Sequence, residues 1–111
     1  MTAINNSLPA AVLPEGRWWS MPIRGDNMAP TLNRDDMALV VPCHGYDGPA
    51  IYVLSHADGS QFVRRIELPF AMLDNVLYSD DKTTRRAEPV DREWVNTRVI
   101  GKIVGVVKPV Q

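Results

Sequence analysis

Two residues in this sequence lie in settings typical of a catalytic site, but neither can do catalytic chemistry. Asn27 lies in the turn-rich stretch of residues 24–32, which reads Arg-Gly-Asp-Asn-Met-Ala-Pro-Thr-Leu. Its carboxamide nitrogen shares its lone pair with the carbonyl group, so Asn27 is not a nucleophile. Arg64 follows Val63 in a β-rich run, and its guanidinium group stays protonated up to about pH 12, so it cannot act as a general base. These residue types predict hydrogen bonding, and asparagine is also a common turn residue.

The alternation of side chains along a β-strand assigns the run that carries Arg64 to two faces. One face holds Phe62, Arg64, Ile66 and Leu68, and the other holds Val63, Arg65 and Glu67. Arg64 therefore lies on the more apolar face. We expect its guanidinium either to extend towards water at the margin of the sheet or to occupy a polar pocket within it.

The rest of the chain predicts a mainly β fold with little helix, built from twisted antiparallel strands. Short runs rich in β-branched and aromatic residues are separated by turn signals at residues 33–36 and 45–48. Asp58-Gly59 predicts a tight hairpin turn, because this pair readily adopts positive φ angles. The predicted strands cover residues 37–41, 50–54, 61–68, 72–78 and 99–107.

Composition limits the classes of protein that fit. A chain of 111 residues, 45% hydrophobic, is the size of one compact domain. Its formal charge of −1 gives no overall positive field for binding nucleic acid. Cys43 is the only cysteine, so no internal disulfide can form. No apolar run approaches the roughly 20 residues that span a bilayer, and no signal-peptide pattern is present, so we expect a cytoplasmic protein.

Residues 1–16 have the composition of a linker, because they are small, polar or proline-rich and lack helical or strand periodicity. We therefore expect a folded domain over residues 17–111, with a further domain preceding the linker in the complete protein.

Several short motifs admit more than one interpretation. Arg24-Gly25-Asp26 matches an adhesion tripeptide, but such short matches are common by chance. Cys43, His44 and His56 lack an evident fourth ligand, so we expect no metal and no cofactor. The basic run at residues 82–86 is flanked by acidic residues, which favours a solvated loop over a phosphate site. Tryptophans 18, 19 and 94 are expected to be packing residues, although an exposed pair at 18–19 would suit a partner.

The order of the motifs resembles one protein family. Gly-Asp-X-Met-X-Pro-Thr-Leu at residues 25–32 is followed by an acidic turn, a hairpin, a Val-basic-Arg-aliphatic strand at 63–66 and an aliphatic, glycine-containing strand at 100–107. This pattern is similar to the C-terminal domain of the LexA and temperate-phage repressor family, which has a signal-peptidase-like fold. The resemblance extends from about residue 21 to residue 107, and its first motif is the most specific.

The resemblance implies a degenerate serine–lysine peptidase. In active members of the family, serine occupies the position of Asn27 and lysine that of Arg64, and burial lowers the lysine pKa until it accepts the serine proton. Both positions are changed here, and each change alone should abolish self-cleavage. The Ala-Gly or Cys-Gly bond that relatives cleave is also missing, since the linker contains Ala10-Ala11 and Glu15-Gly16. In place of the serine–lysine dyad, we expect a hydrogen-bonded cluster of Asn27, Asp26 and Arg64.

The function implied by the resemblance is oligomerisation of a non-cleaving transcriptional repressor of a temperate phage, working in the bacterial host cell. Its partners would be further copies of itself, operator DNA through a separate N-terminal helix-turn-helix domain, and an antirepressor protein. Two alternatives remain open: a self-processing serine–lysine protease of the UmuD type, and an adaptor that binds no DNA. The first would need a nucleophile at Ser20, Ser55, Ser60 or Ser79, outside the motif.

Alternation along residues 100–107 predicts the oligomer interface. It assigns Ile100, Val104 and Val106 to one face with Lys102, and Ile103 and Val107 to the other, so apolar side chains emerge on both faces. One face can pack on the domain, and the other is free for a second copy. A central strand covered on both sides within one chain is the alternative.

Overall fold

The computed structural model of the chain describes residues 16–69, 74–81 and 87–109. These residues form a seven-stranded antiparallel sheet and one short helix. The elements are β1 (Trp19–Pro22), β2 (Met37–Pro42), β3 (Ala50–Ser55), β4 (Gln61–Glu67), β5 (Asn75–Tyr78), β6 (Ala87–Val90), α1 (Arg92–Arg98) and β7 (Val99–Val107). The predicted mainly β, antiparallel fold with little helix is confirmed.

The strand order in the sheet is β1-β2-β7-β3-β4-β5-β6. The closing strand β7 is therefore central, between β2 and β3, whereas β1 and β6 form the two edges. Both edge strands are four residues long and include a proline, which cannot donate a ladder hydrogen bond. Short, proline-containing edges resist pairing with another sheet.

Each face of the sheet carries its own hydrophobic core, because apolar side chains project from both sides of the central strands. Residues 24–32 form the Asn27 turn. The first core contains Met28 and Leu32 of this turn, packed on Val53, Val63, Ile103 and other residues of the sheet. The second core contains Tyr52, Leu54, Ile66 and Leu77 with Val95 of α1. The Asn27 turn and α1 thus cover opposite faces.

The long predicted strands correspond to β2, β3, β4 and β7 within a residue or two. The strand predicted over residues 72–78 is shorter than expected: β5 begins at Asn75, and residues 72–73 lie outside the described part of the chain. β1, β6 and α1 were not predicted. The helix has seven residues and only one buried side chain, Val95, which is too short for a helical repeat to show.

The Asp58-Gly59 hairpin joins β3 to β4, as predicted, but its loop is wider than a two-residue turn. The His56 main-chain carbonyl accepts a hydrogen bond from the Gly59 amide at 3.0 Å, and the His56 amide donates one to the Ser60 carbonyl at 2.7 Å. Gly59 has a φ of 90°, and the Asp58 carboxylate accepts from the Ser60 amide at 2.9 Å. This is the three-residue loop in which a glycine follows a type I turn.

Two β-bulges change the faces of β7. The pairing register shifts once against β3, where Val53 pairs with Gly101 but Leu54 pairs with Val99. It shifts again against β2, where Leu39 pairs with Gly105 but Val40 pairs with Ile103. The expectation that residues 100, 102, 104 and 106 share one face is therefore wrong, because each bulge inserts an extra residue and resets the alternation.

Within the described residues, no helix is long and apolar enough to cross a membrane.

Candidate functional site

The Asn27 turn connects β1 to β2 across the first core. The Ala29 amide donates to the Asp26 carbonyl at 3.1 Å, and the Leu32 amide donates to the Met28 carbonyl at 2.8 Å. These bonds wind the turn so that Met28 and Leu32 are buried while Asn27 is exposed. The φ angle of Asn27 is not positive, because Asp35 is the only non-glycine residue with a positive φ among the described residues. A left-handed backbone is therefore not the reason for asparagine at this position.

An ion pair fastens the Asn27 turn to the sheet. Arg65 of β4 donates to both carboxylate oxygens of Asp80, at 2.8 and 2.7 Å, and the Thr31 hydroxyl donates to the same carboxylate at 2.7 Å. Beside them, the Asp81 amide donates to the Asn27 carbonyl at 2.9 Å. The hydrogen bond to Asp80 raises the pKa of the Arg65 guanidinium, against the opposing effect of burial.

Arg64 lies at an open margin of the sheet. β5 pairs with β4 only from Arg65 to Glu67, so the first half of β4, including Arg64, has no paired strand on that side among the described residues. The guanidinium stacks 5.5 Å from the centre of the Phe62 ring and donates to the Val63 carbonyl at 2.7 Å. Burial lowers the pKa of Arg64, and nearby Glu88 opposes that shift. Of the two predicted placements, the sheet margin is the one observed.

Two clefts meet at this margin, and Phe62 and Arg64 border both. The first cleft, of about 550 Å³, contains the Asn27 turn. Its lining residues are Met21, Pro22, Ile23, Arg24, Gly25, Asn27, Met28, Gly59, Gln61, Phe62, Val63 and Arg64. The second cleft, of about 420 Å³, lies against the second core. Its lining residues are Ser55, His56, Ala57, Phe62, Arg64, Leu77, Glu88, Trp94 and Arg98.

The structure brings Asn27 and Arg64 to one cleft but does not join them. Asp26 pairs with Arg34 at 3.2 Å instead of with Arg64, and both side chains of that pair are mostly exposed. The Asn27 side chain makes no hydrogen bond to any described residue. The expected cluster of Asn27, Asp26 and Arg64 is therefore wrong, because Arg64 is held by its own strand and Asp26 by its own turn.

The end of β7 is tied to the turn before β2 by a second ion pair. Lys108 Nζ lies 2.6 Å from Asp36 Oδ2, and the Asn33 amide donates to the same oxygen at 2.8 Å. The Asp36 side chain is only 3% exposed, so this buried carboxylate depends on both donors. The pair fixes where the Asn27 turn rejoins the sheet.

The predicted interface residues occupy different environments. Val106 is 1% exposed and belongs to the first core, so it presents no surface to a second chain. Ile100 is half-buried against the first core, and Val104 is half-buried at a bulge. The exposed large apolar side chains of the described residues are Trp18, Met37 and Val107. Met37 and Val107 are direct cross-strand partners, so they form one apolar spot at the end of β2 and β7.

The remaining motifs form no site with one another. No three His, Cys, Asp or Glu residues of the described ranges lie close enough together to hold a metal ion. Cys43 donates to the Gly45 carbonyl at 3.2 Å, and burial raises the pKa of its thiol, with Asp47 adding to the shift. Trp19 and Trp94 pack against the first and second cores, and Trp18 is 39% exposed. Residues 82–86 and most of the predicted linker lie outside the described residues.

Sequence reasoning missed the Arg65–Asp80–Thr31 contacts. Alternation correctly separated Arg65 from Arg64, and the first motif supplied Thr31, but nothing in the pattern pointed to Asp80 as their shared partner.

Comparison with known proteins finds no relative: no protein-family model matches the chain, and the search of curated proteins found no significant match.

Proposed function

We propose that this chain is the oligomerisation domain of a non-cleaving transcriptional repressor of the LexA and temperate-phage type. The observation that carries the proposal is the meeting of two motifs at one cleft. The Asn27 turn and the Val63-Arg64 strand are distant in the sequence yet border the same 550 Å³ space. A serine–lysine peptidase would need its nucleophile and base at such neighbouring positions.

Among the described residues that line the first cleft, none is suited to peptide hydrolysis. None of its described lining residues is Ser, Thr, Cys, His, Lys, Asp or Glu, so it offers neither a nucleophile nor a general base. Arg64 remains a cation at physiological pH, even though burial lowers its pKa. The cleft therefore supports a domain that kept the architecture of a peptidase and lost the chemistry.

What an inert domain contributes to a repressor is association. When separate DNA-binding heads are joined through such domains, binding of one head places its neighbour at a local concentration near millimolar. Operator affinity then rises by orders of magnitude without new contacts to bases. Because no autocleavage separates the heads, release from DNA in the bacterial cytoplasm would require a competing antirepressor protein or ligand.

Two surface features supply candidate contacts between copies. Met37 and Val107 are 37% and 40% exposed and lie opposite each other at the end of the sheet. Ile100 and Val104 remain half-buried candidates on β7. The Met37–Val107 spot is small against the roughly 1,200–2,000 Å² of a stable interface, so it would be one part of a larger contact.

Absence of cleavage is tested by incubating the chain at about pH 10, near the ordinary lysine pKa, and measuring its intact mass. We expect the full mass to persist. The double variant Asn27→Ser with Arg64→Lys, which restores the dyad, is incubated in parallel, and its intact mass is compared with that of the unmodified chain. A specific cut in residues 8–16 of the unmodified chain would contradict the proposal.

The surface of association is tested separately by Val107→Asp and Val104→Asp, with His44→Asp on the exposed loop after β2 as the matched control. A buried carboxylate disfavours contact, so an interface variant should reduce the oligomer mass measured by light scattering while remaining folded. If both variants associate as His44→Asp does, these surfaces are not the interface.

A further inference from the structure

The second cleft holds an unusual arrangement of charge on the face opposite the Asn27 turn. It lies between the hairpin after β3, strand β4 and helix α1, and it is open beside the second core. Arg64, Arg98 and His56 contribute its basic groups, and Glu88 is the only acidic residue among its described lining.

Neither arginine in this cleft has a carboxylate partner in the described part of the chain. Among residues 16–69, 74–81 and 87–109, no carboxylate oxygen lies within 4.0 Å of either guanidinium. Arg64 donates to the Val63 carbonyl, and Arg98 donates to the Ser55 carbonyl at 3.3 Å. A guanidinium has five N–H donors, so most of the hydrogen-bonding capacity of both groups remains available.

The walls of the cleft combine polar and charged groups with aromatic rings. Arg64 stacks on Phe62, and Arg98 lies 6.0 Å from the ring centre of Trp94. The His56 ring also stacks on Phe62, with the two ring centres 4.2 Å apart. Stacking fixes a guanidinium plane at low entropy cost and leaves its edge free to meet a planar anion.

We propose that the second cleft binds a small organic acid, with its carboxylate between Arg64 and Arg98 and its apolar body against Phe62, Leu77 and Trp94. The arginine edge matches a carboxylate in geometry as well as charge. A volume of about 420 Å³ falls within the range of small-molecule sites. Glu88 repels a second negative charge, so the site favours a monocarboxylate over a dicarboxylate. This site is independent of the repressor role proposed above.

The probe is phenylacetate, titrated into the ¹⁵N-labelled chain in low-chloride buffer because chloride competes for arginines. We expect saturable shifts of the Trp94 indole and of the Arg64 and Arg98 side-chain signals, with a Kd on the order of a millimolar for so small a ligand. The Trp18 indole, remote from this cleft, should not move. Phenylacetamide, which has the same shape without the charge, should bind at least tenfold more weakly.

Arg64→Gln and Arg98→Gln should each weaken phenylacetate binding about tenfold, the effect of one charged hydrogen-bond pair. Arg92→Gln is the matched control, because Arg92 is exposed on the same helix and does not line the cleft. Absence of saturable shifts in the unmodified chain would overturn the proposal. So would equal binding of phenylacetamide, equal binding of inorganic phosphate, or equal weakening by Arg92→Gln.

Discussion

Removing the Arg65 guanidinium should destabilise the chain far more than removing an exposed one. Arg65→Met keeps an unbranched apolar stem but leaves the Asp80 carboxylate without its two-pronged partner. The Asp80 side chain is 10% exposed, and breaking a fully buried pair in this way costs about 3–5 kcal/mol. Arg65 is 26% exposed and Thr31 still donates to Asp80, so we expect a loss of about 2–3 kcal/mol.

Arg34→Met is the matched control, since it removes the same group from a pair that water surrounds. Arg34 and Asp26 lie 3.2 Å apart with side chains 60% and 65% exposed, and such pairs contribute about 0–1 kcal/mol. Urea unfolding of both variants gives the comparison, provided that the slope of free energy against urea is unchanged. The Asp81 amide, which bonds to the Asn27 carbonyl, should also exchange faster in Arg65→Met alone. Equal losses of stability in the two variants would refute the reasoning.

Further predictions concern packing and pH. Gly101→Ala should lower the free energy of unfolding by about 1–3 kcal/mol, because its Cβ would collide with Val40 and lie 2.9 Å from Trp19, whereas Gly25→Ala meets nothing within 4 Å and serves as the control in thermal unfolding. Burial raises the pKa of Tyr52 from its ordinary 10.0 to about 12, so the unfolded chain loses that proton first and stability falls as pH rises from 10 to about 12. The Tyr52 contribution to this fall is about 2–3 kcal/mol, and urea unfolding of Tyr52→Phe should show a pH dependence shallower by that amount. A parallel pH dependence in the variant would exclude this assignment. Lys108→Met should lower the free energy of unfolding by about 2 kcal/mol, because the buried Asp36 carboxylate keeps only the Asn33 amide. An unchanged urea midpoint and slope would show that this pair contributes little.

The long strands were predictable because their residues carry the pattern themselves. β3 is a continuous apolar run, β4 follows it after Asp58-Gly59, and β7 was predicted with its observed limits. β1, β6 and α1 were not predictable, because four to seven residues are too few for periodicity to rise above chance. Their structure depends on neighbours that only the folded chain supplies.

The candidate site was predictable only in part, because the sequence pattern shows which face a residue lies on but not which distant residue it contacts. Local alternation places Arg64 and Arg65 on opposite faces, but it cannot show that the described pairing of β4 with β5 stops at Arg65. The bulges in β7 appear only in its pairing with β2 and β3, so alternation alone did not show that Val106 lies in the first core. The partner of Arg65 is set by long-range chain geometry, which alternation does not encode.

Sedimentation equilibrium of the chain at micromolar concentration tests the central proposal most directly. A repressor oligomerisation domain must bring its copies together, so we expect a mass of at least twice that of the 111-residue chain, shifting with concentration. A monomer at every accessible concentration would contradict the proposed function.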